Sequence, residues 1–487
     1  GDSKNMVSDA KGLPASFEPG RRKPGSVEID PATTRNVKWT AKLGSQTYGS
    51  PAVVDGRIFL GTNDASLQLR DRDRKGDGGG VVLCLDENTG SFLWHLVIPR
   101  KRGLRMFDHL SLGVCSSPLV DGKRVYVTSN RGEILCLDAK GMADGNDGPY
   151  KDEAQYVAGP GNPPVELKPT DGDILWRHDI FTEWKISYQD AMDCSLLIHG
   201  DLLFGSTHNS RDPGEKEVPY PKTPTVIALN KITGEVVAAD DAEITRDVFH
   251  GQWSSPSLAK VDGRTLVFYG GGDGYCYAFD ATPAPSPTGD RAVLRTVWKC
   301  DCNPPEYKSA NGKPIKYRDK NGPSEIIATP AYHEGRVYVA IGQDPRHGLG
   351  IGALTCIDAT KTGDISRTGV IWRYKGLDRS LSTASIADGL VFIADHTGRV
   401  HCLDADTGKP YWVHDTKGRI WGSTLVADGK VYVGNERRWL FVFAAGKEKK
   451  VLSKARLSSA IYCTPVVANG VLYVASQKHL YAIEKQD

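Results

Sequence analysis

Short apolar runs alternate with glycine turns along the chain, and the alternation repeats. A run rich in Val, Leu and Ile reaches a turn pair and a second run leaves it, at Asp55-Gly56, Asp121-Gly122, His199-Gly200, Asp262-Gly263, Glu334-Gly335, Asp388-Gly389, Asp428-Gly429 and Asn469-Gly470. Asp-Gly and Asn-Gly between alternating apolar runs predict tight hairpins, because both residues of each pair tolerate the positive φ of primed turns. Ser50-Pro51, Ser117-Pro118, Ser255-Pro256, Thr329-Pro330 and Thr464-Pro465 introduce the first strand, and runs such as Val431-Tyr432-Val433 form the second. A third strand then ends on Asp, turns through Thr-Gly and gives way to a fourth that carries Trp. Asp86 through Thr89-Gly90 leads to Trp94, and Asp404 through Thr407-Gly408 leads to Trp412. The third repeat keeps the turn Asn230-Lys231-Ile232-Thr233-Gly234 but has Ala238 at the Trp position. Insertions stretch the turn between Asp138 and Trp176, Asp280 and Trp298, and Asp358 and Trp372. Self-similarity of this length predicts a solenoid, a propeller or an array.

Eight repeats of four strands predict an all-β, eight-bladed propeller. The eighth repeat stops at Leu480-Tyr481-Ala482-Ile483-Glu484 after its third strand, whereas Asn36-Val37-Lys38-Trp39-Thr40 is a fourth strand without a blade. Pairing the strand at about 36–41 with the last blade closes the ring and removes the exposed sheet edges. The expected organisation is an extension over 1–35 and one propeller domain over 36–487, since each repeat adds to a continuous core.

Composition narrows the partners. Net charge is +2 over 487 residues, so no overall field favours nucleic acid or an anionic membrane. No apolar run approaches the roughly 18 residues of a membrane span, and the polar start Gly1-Asp2-Ser3-Lys4 reads as a mature chain without a signal peptide. Of ten cysteines, Cys84, Cys136, Cys276, Cys356 and Cys402 fall in the third strands. The spacing of repeats keeps these five apart, so they read as small core residues rather than a disulfide framework. Cys300-Asp301-Cys302 is left as a local disulfide or a free pair.

The motif Asp-x-x-Thr-Gly-x-x-x-Trp, complete at 86–94 and 404–412, makes the chain resemble the PQQ-type eight-bladed β-propellers. That family includes the quinoprotein alcohol dehydrogenases and the outer-membrane assembly lipoprotein of the BAM complex. The resemblance runs from about Val37 to Glu484 and implies an extracytoplasmic location. It specifies the fold more than the chemistry.

Placing every residue on the common register subtracts the scaffold. Trp39, Trp94, Trp176, Trp298, Trp372 and Trp412 take the inter-blade position, and Trp253 and Trp421 fall just before innermost strands, at the mouth of the central channel. The same face gathers Asp108 and His109 before blade two; Gln189, Asp190 and Asp193 before blade three; His250 and Gln252 before blade four; Glu325, Arg379 and Arg419 before blades five, six and seven. Loops at about 63–80, 207–223 and 342–352 rise beside them. Aromatics with a few convergent polar groups predict a ligand pocket, and hence a binding or scaffold propeller that holds a small molecule or a partner protein. The family resemblance implies an alternative, a PQQ- and Ca²⁺-dependent dehydrogenase of alcohols or sugars. In it Asp190 or Asp193 would be the catalytic base, Trp253 or Trp421 the quinone floor, Glu325 a cation ligand, and Arg379 or Arg419 the quinone partner. The vicinal cysteine pair of many such dehydrogenases and a Cys-x-x-Cys-His haem motif are both absent from the sequence. A third reading groups Met106, His109, Cys115, Met192, Cys194 and His250 as soft ligands for Cu(I) or Zn²⁺.

Overall fold

A computed structural model describes residues 4–486 except 27, 66, 68–77, 101–109, 215, 287, 288, 290, 316–322 and 349. Eight four-stranded antiparallel blades form a ring. The first three strands of the last blade, Val466–Ala468, Val471–Ala475 and His479–Ile483, take Val37–Lys42 as their fourth. Ala482 faces Trp39 and Leu480 faces Ala41 across that seam, so the two ends of the ring share one blade as the repeat predicts.

The turns follow from their residues. Asp55, Asp262, Glu334, Asp388, Asp428 and Asn469 all adopt positive φ near 50°, each followed by a positive-φ glycine. The core is correspondingly circular. A separate apolar cluster fills each seam between neighbouring blades, for example Phe268 and Trp298 of blade four against Val337 and Val339 of blade five. In each of the six tryptophan-bearing blades the ring crosses to its neighbour, and Trp39, Trp94, Trp176, Trp298, Trp372 and Trp412 donate Nε1–H to the carbonyls of Glu87, Ala139, Lys231, Ala359, Ala405 and Gly446.

Opposite each of these rings stands a small residue. Cys84 faces Trp94, Cys136 faces Trp176, Cys356 faces Trp372 and Cys402 faces Trp412, because a bulky ring needs a short cross-strand partner. Cys276 departs from this expected register. It faces Cys300, and Ala278 takes the place opposite Trp298. All ten cysteines are buried and free, so Cys300 and Cys302 form no disulfide.

The Ser/Thr residues ahead of the first strands form an inner belt. Ser50, Ser117 and Ser195 each donate a backbone N–H to the hydroxyl of the next blade, Ser117, Ser195 and Ser255, at 2.9–3.0 Å. Thr329, Thr383 and Ser423 do the same toward Thr383, Ser423 and Thr464, and the Ser50 hydroxyl reaches the Thr464 carbonyl. Hydroxyls therefore stitch the ring where the strands crowd around its axis.

The stretch before the first blade is woven into the ring. Val7–Ser8 pairs parallel with Val426 and Ala427 of blade seven, inside its innermost strand. Leu13, Phe17 and Ile29 pack in the seam of blades seven and eight. Among the described residues no helix is long and apolar enough to cross a membrane.

Candidate functional site

Strand order sets the two faces. Asp-Gly turns lie on one; the connections into innermost strands and those joining second to third strands lie on the other, here the upper face. There the channel widens into a cavity of about 530 Å³, lined by Tyr48, Trp253, Trp421 and Tyr462 together with Asp190, Asp193, Asp344 and Arg346. The eight hydroxyl-bearing residues of the inner belt, from Ser50 to Thr464, line the same space.

Aromatic contacts run along one side. Tyr48 and Tyr462 are centred 5.4 Å apart, Tyr462 and Trp421 5.3 Å, and Trp421 and His396 4.7 Å edge to face. Burial holds His396 low, at about 4, so this ring stays neutral at physiological pH. Across the mouth Trp253 lies over the backbone of Gly251, where a Cβ would come within 2.3 Å of its ring. Glycine at 251 is what lets the indole fold back.

The charged wall is compact. Asp190, at φ +54°, pairs with Arg346 at 3.6 Å. Burial pushes the Asp193 carboxyl well above the usual carboxylate range, with the charge of Asp190 adding to the shift, and Asp193 Oδ1 has no hydrogen-bond partner. Glu325 is fully buried and accepts the Asp344 N–H at 2.7 Å; burial raises its carboxyl to about 8. Asp344 moves the other way. Burial opposes its charge, but the His347 hydrogen bond, the Arg346 N–H and the nearby His250 outweigh that and hold it low.

The remaining residues singled out from the sequence are dispersed. Arg379 is buried and spends its guanidinium on the carbonyls of Asp344, His347 and Gly348. The Gln252 amide donates to the Asn209 carbonyl and to Thr225, and Gln189 to the Asp212 carbonyl. Arg419 is exposed. Of the soft ligands, Met192 packs in the apolar seam of blades two and three. Cys194 is buried with its N–H on His208, and Cys115 lies on the cavity wall with its thiol toward the Gly113 carbonyl. Met106, Asp108 and His109 lie outside the described residues. Among the described residues, His250, Asp344 and His347 are the one trio of His, Cys, Asp or Glu whose ligand atoms could share an ion.

Two features of the site are not legible in the repeat. Asp344, Arg346 and His347 sit in a loop marked only by its length, although its register places it beside His250. Lys4 to Ser8 line the cavity, and nothing in their sequence announces it.

A quinone held with Ca²⁺ does not fit these residues. The trio that could hold a cation offers two imidazoles and one carboxylate, whereas Ca²⁺ takes oxygen ligands. Of the two arginines expected to meet an anionic quinone, Arg379 is spent on loop carbonyls and Arg419 is exposed outside the cavity lining, while Asp190, Asp193 and Asp344 share the wall.

A second cavity, about 520 Å³, opens between blades three and four and is lined by Arg211, Asp247, Asp273, Tyr277, Lys299 and Lys308. Asp273 accepts the Tyr277 hydroxyl, and burial raises its carboxyl to about 7. Its folded value lies above the ordinary value of about 3.9, so between roughly pH 4 and 7 the folded state binds the extra proton. Stability tied to this group is full below about pH 4 and is lost as pH rises toward 7. Asp273→Asn is expected to flatten that slope, measured as urea midpoints at pH 5 and pH 8; an unchanged slope in the variant rejects this source.

The family described as outer membrane protein assembly factor BamB matches residues 78–142 and 295–447. BamB from Moraxella catarrhalis superposes with a TM-score of 0.54 at 14% identity, over 90% of this chain and 94% of that one. A europium-containing methanol dehydrogenase gives 0.57 at 12% identity, over 97% and 88%. Identities this low show the fold alone. Lupanine 17-hydroxylase [cytochrome c] of a Pseudomonas species is 26% identical over 225 residues, 41% of this chain and 31% of that protein's length.

Proposed function

We propose that this eight-bladed β-propeller is a binding propeller of PQQ type whose upper channel mouth holds an extended polypeptide segment of a partner. One observation carries this reading. Lys4 to Ser8 already lie in that cavity, and Val7–Ser8 there forms a short strand parallel to Val426 and Ala427. The Val426 N–H donates to the Met6 carbonyl at 2.9 Å. The Asn5 side chain grips Ile386 at both backbone groups, donating to its carbonyl at 2.8 Å and accepting its N–H at 2.7 Å. Strand addition gives affinity through main-chain bonds, and pockets for alternate side chains give selectivity. Trp421, Tyr462 and Tyr48 supply an aromatic wall for such side chains, and Asp190 and Arg346 supply polar anchors.

The dehydrogenase reading has no comparable support, because Arg379 is committed to loop carbonyls and the trio that could share an ion is rich in imidazole. We place the protein outside the cytoplasm, on its similarity to a family described as an outer membrane protein assembly factor; cell fractionation of the native host checks this.

The binding test removes residues 1–8 and adds them back as a synthetic peptide spanning 1–8. Rebinding, read as a change in tryptophan fluorescence, is expected, and Trp421→Ala should weaken it roughly tenfold with the fold intact by circular dichroism. A peptide that does not rebind the shortened, folded chain sinks the reading.

A further inference from the structure

We propose that His250, Asp344 and His347 form a Zn²⁺-binding site on the upper face at the seam of blades four and five. One ligand atom from each lies within 4.8 Å of the other two. His347 Nδ1 and Asp344 Oδ1 stand 3.2 Å apart, close to the edge of about 3.3 Å expected for a tetrahedron at zinc distances of 2.0–2.1 Å. The His250 ring is centred 4.1 Å from that of His347. Closing the third corner takes a side-chain movement of about 1.5 Å.

The surroundings are those of a braced ligand loop. Asp344 and His347 ride on the connection between second and third strands of blade five, from Gln343 to Ile351; its counterparts in blades six and seven are the short turns 395–398 and 435–438. Buried Arg379 crosses beneath the longer loop and donates to the carbonyls of Asp344, His347 and Gly348. From the other side Glu325 accepts the Asp344 N–H, and the Arg346 N–H donates to Asp344 Oδ1 at 2.8 Å. His250 is set by Trp253, whose ring meets it nearly edge to face at 5.2 Å. Burying a guanidinium and a carboxyl group to fix one surface loop is costly, and the shorter turns show that the blade does not require it. Fixing the orientation of ligands is what outer-shell groups do at metal sites.

The donor set chooses the ion. Two imidazoles and one carboxylate suit Zn²⁺ and its first-row neighbours and leave a position open, as in zinc centres with three protein ligands. Asp344 and Trp253 belong to the cavity wall, so the open position is reached from the cavity. The site stands independently of the peptide reading, since neither its ligands nor its test involves Lys4 to Ser8.

Zinc alone is the test ligand. The full chain, stripped with EDTA, is titrated with ZnSO₄ by calorimetry, and Co²⁺ serves as the spectroscopic substitute. One equivalent of Zn²⁺ is expected, with a visible Co²⁺ spectrum of low coordination number and no response to equimolar Ca²⁺. His347→Ala, on a partly exposed loop side chain, should lower zinc affinity at least about tenfold, and Asp344→Asn should do so independently if the first variant folds poorly. Sub-stoichiometric binding, equal zinc affinity in the wild type and both folded variants, or preference for Ca²⁺ would each overturn the proposal. Failure of the peptide to rebind leaves this titration unaffected.

Discussion

Glu133→Ala is expected to destabilise the protein by about 3–5 kcal/mol, as removal of one partner from a buried ion cluster does. Glu133 is wholly buried at the start of the third strand of blade two. Its Oε1 meets Arg177 Nη1 at 3.0 Å and Arg131 Nε at 3.5 Å. Its Oε2 accepts the Tyr156 hydroxyl at 2.7 Å and that of Ser129 at 3.0 Å. Arg131 lies over the Tyr156 ring, 4.7 Å from its centre. Tyr156 belongs to the helix Glu153–Ala158, in the insertion that packs into the seam of blades one and two. Alanine would leave two guanidinium groups facing each other without a counter-charge and would loosen the insertion. For a chain of this size the loss corresponds to roughly 4 °C in Tm if unfolding is one transition. Urea unfolding should show the earlier midpoint, and Glu133→Gln should recover part of it by keeping acceptor and shape. A midpoint unchanged in Glu133→Ala would mean that the cluster contributes no net stability.

Ala41→Pro is expected to open the ring. The Leu43 N–H donates to the Lys478 carbonyl at 2.8 Å, and alternation along an antiparallel ladder makes Ala41 and Leu480 the next hydrogen-bonded pair. Proline removes that donor and forces the neighbouring backbone off register, at about 3 kcal/mol. The thermodynamic loss understates the consequence. With the closing strand detached, the His479–Ile483 strand becomes a free edge, and free edges recruit other chains. Size-exclusion chromatography should show self-association beyond that of the wild type, together with a lower urea midpoint, whereas Ala41→Val should elute like the wild type. A monomeric Ala41→Pro chain of wild-type stability would show that the ring does not depend on this seam.

Both variants act at places the sequence exposes unequally. The closing strand is legible because Asn36-Val37-Lys38-Trp39-Thr40 stands ahead of the first hairpin while the eighth repeat stops after its third strand, so an orphan fourth strand can be matched to a blade that lacks one. The Glu133 cluster is not, because Tyr156 comes from an insertion outside the repeat and Arg131 from a turn that looks like any other. Cys276 marks the same boundary within one strand. It lies in a third strand like Cys84 and Cys136 but four residues before its Asp280 rather than two, and the ladder puts Ala278 opposite the tryptophan of blade four.

The candidate site divides in the same way. Trp253, Trp421, Asp190 and Asp193 reach the cavity as their position before innermost strands predicts. Arg379 and Gln252 share that position, but their side chains turn to backbone carbonyls, those of His347 and Asn209 among them. Register fixes where a side chain leaves the backbone; its rotamer is settled by the nearest group able to pair with it.

What the sequence by itself determined is therefore the repeat: the number of blades, their strand order, the closing strand and the face on which polar residues gather. Those properties depend on local turn chemistry and on a period of two along strands, and both are written in adjacent residues. Only the tertiary structure decided that Lys4 to Ser8 enter the channel, and that His250 meets Asp344 and His347 across two blades. Such meetings depend on how the ring curves and how insertions fold over it, and the sum of contacts distant in sequence sets both.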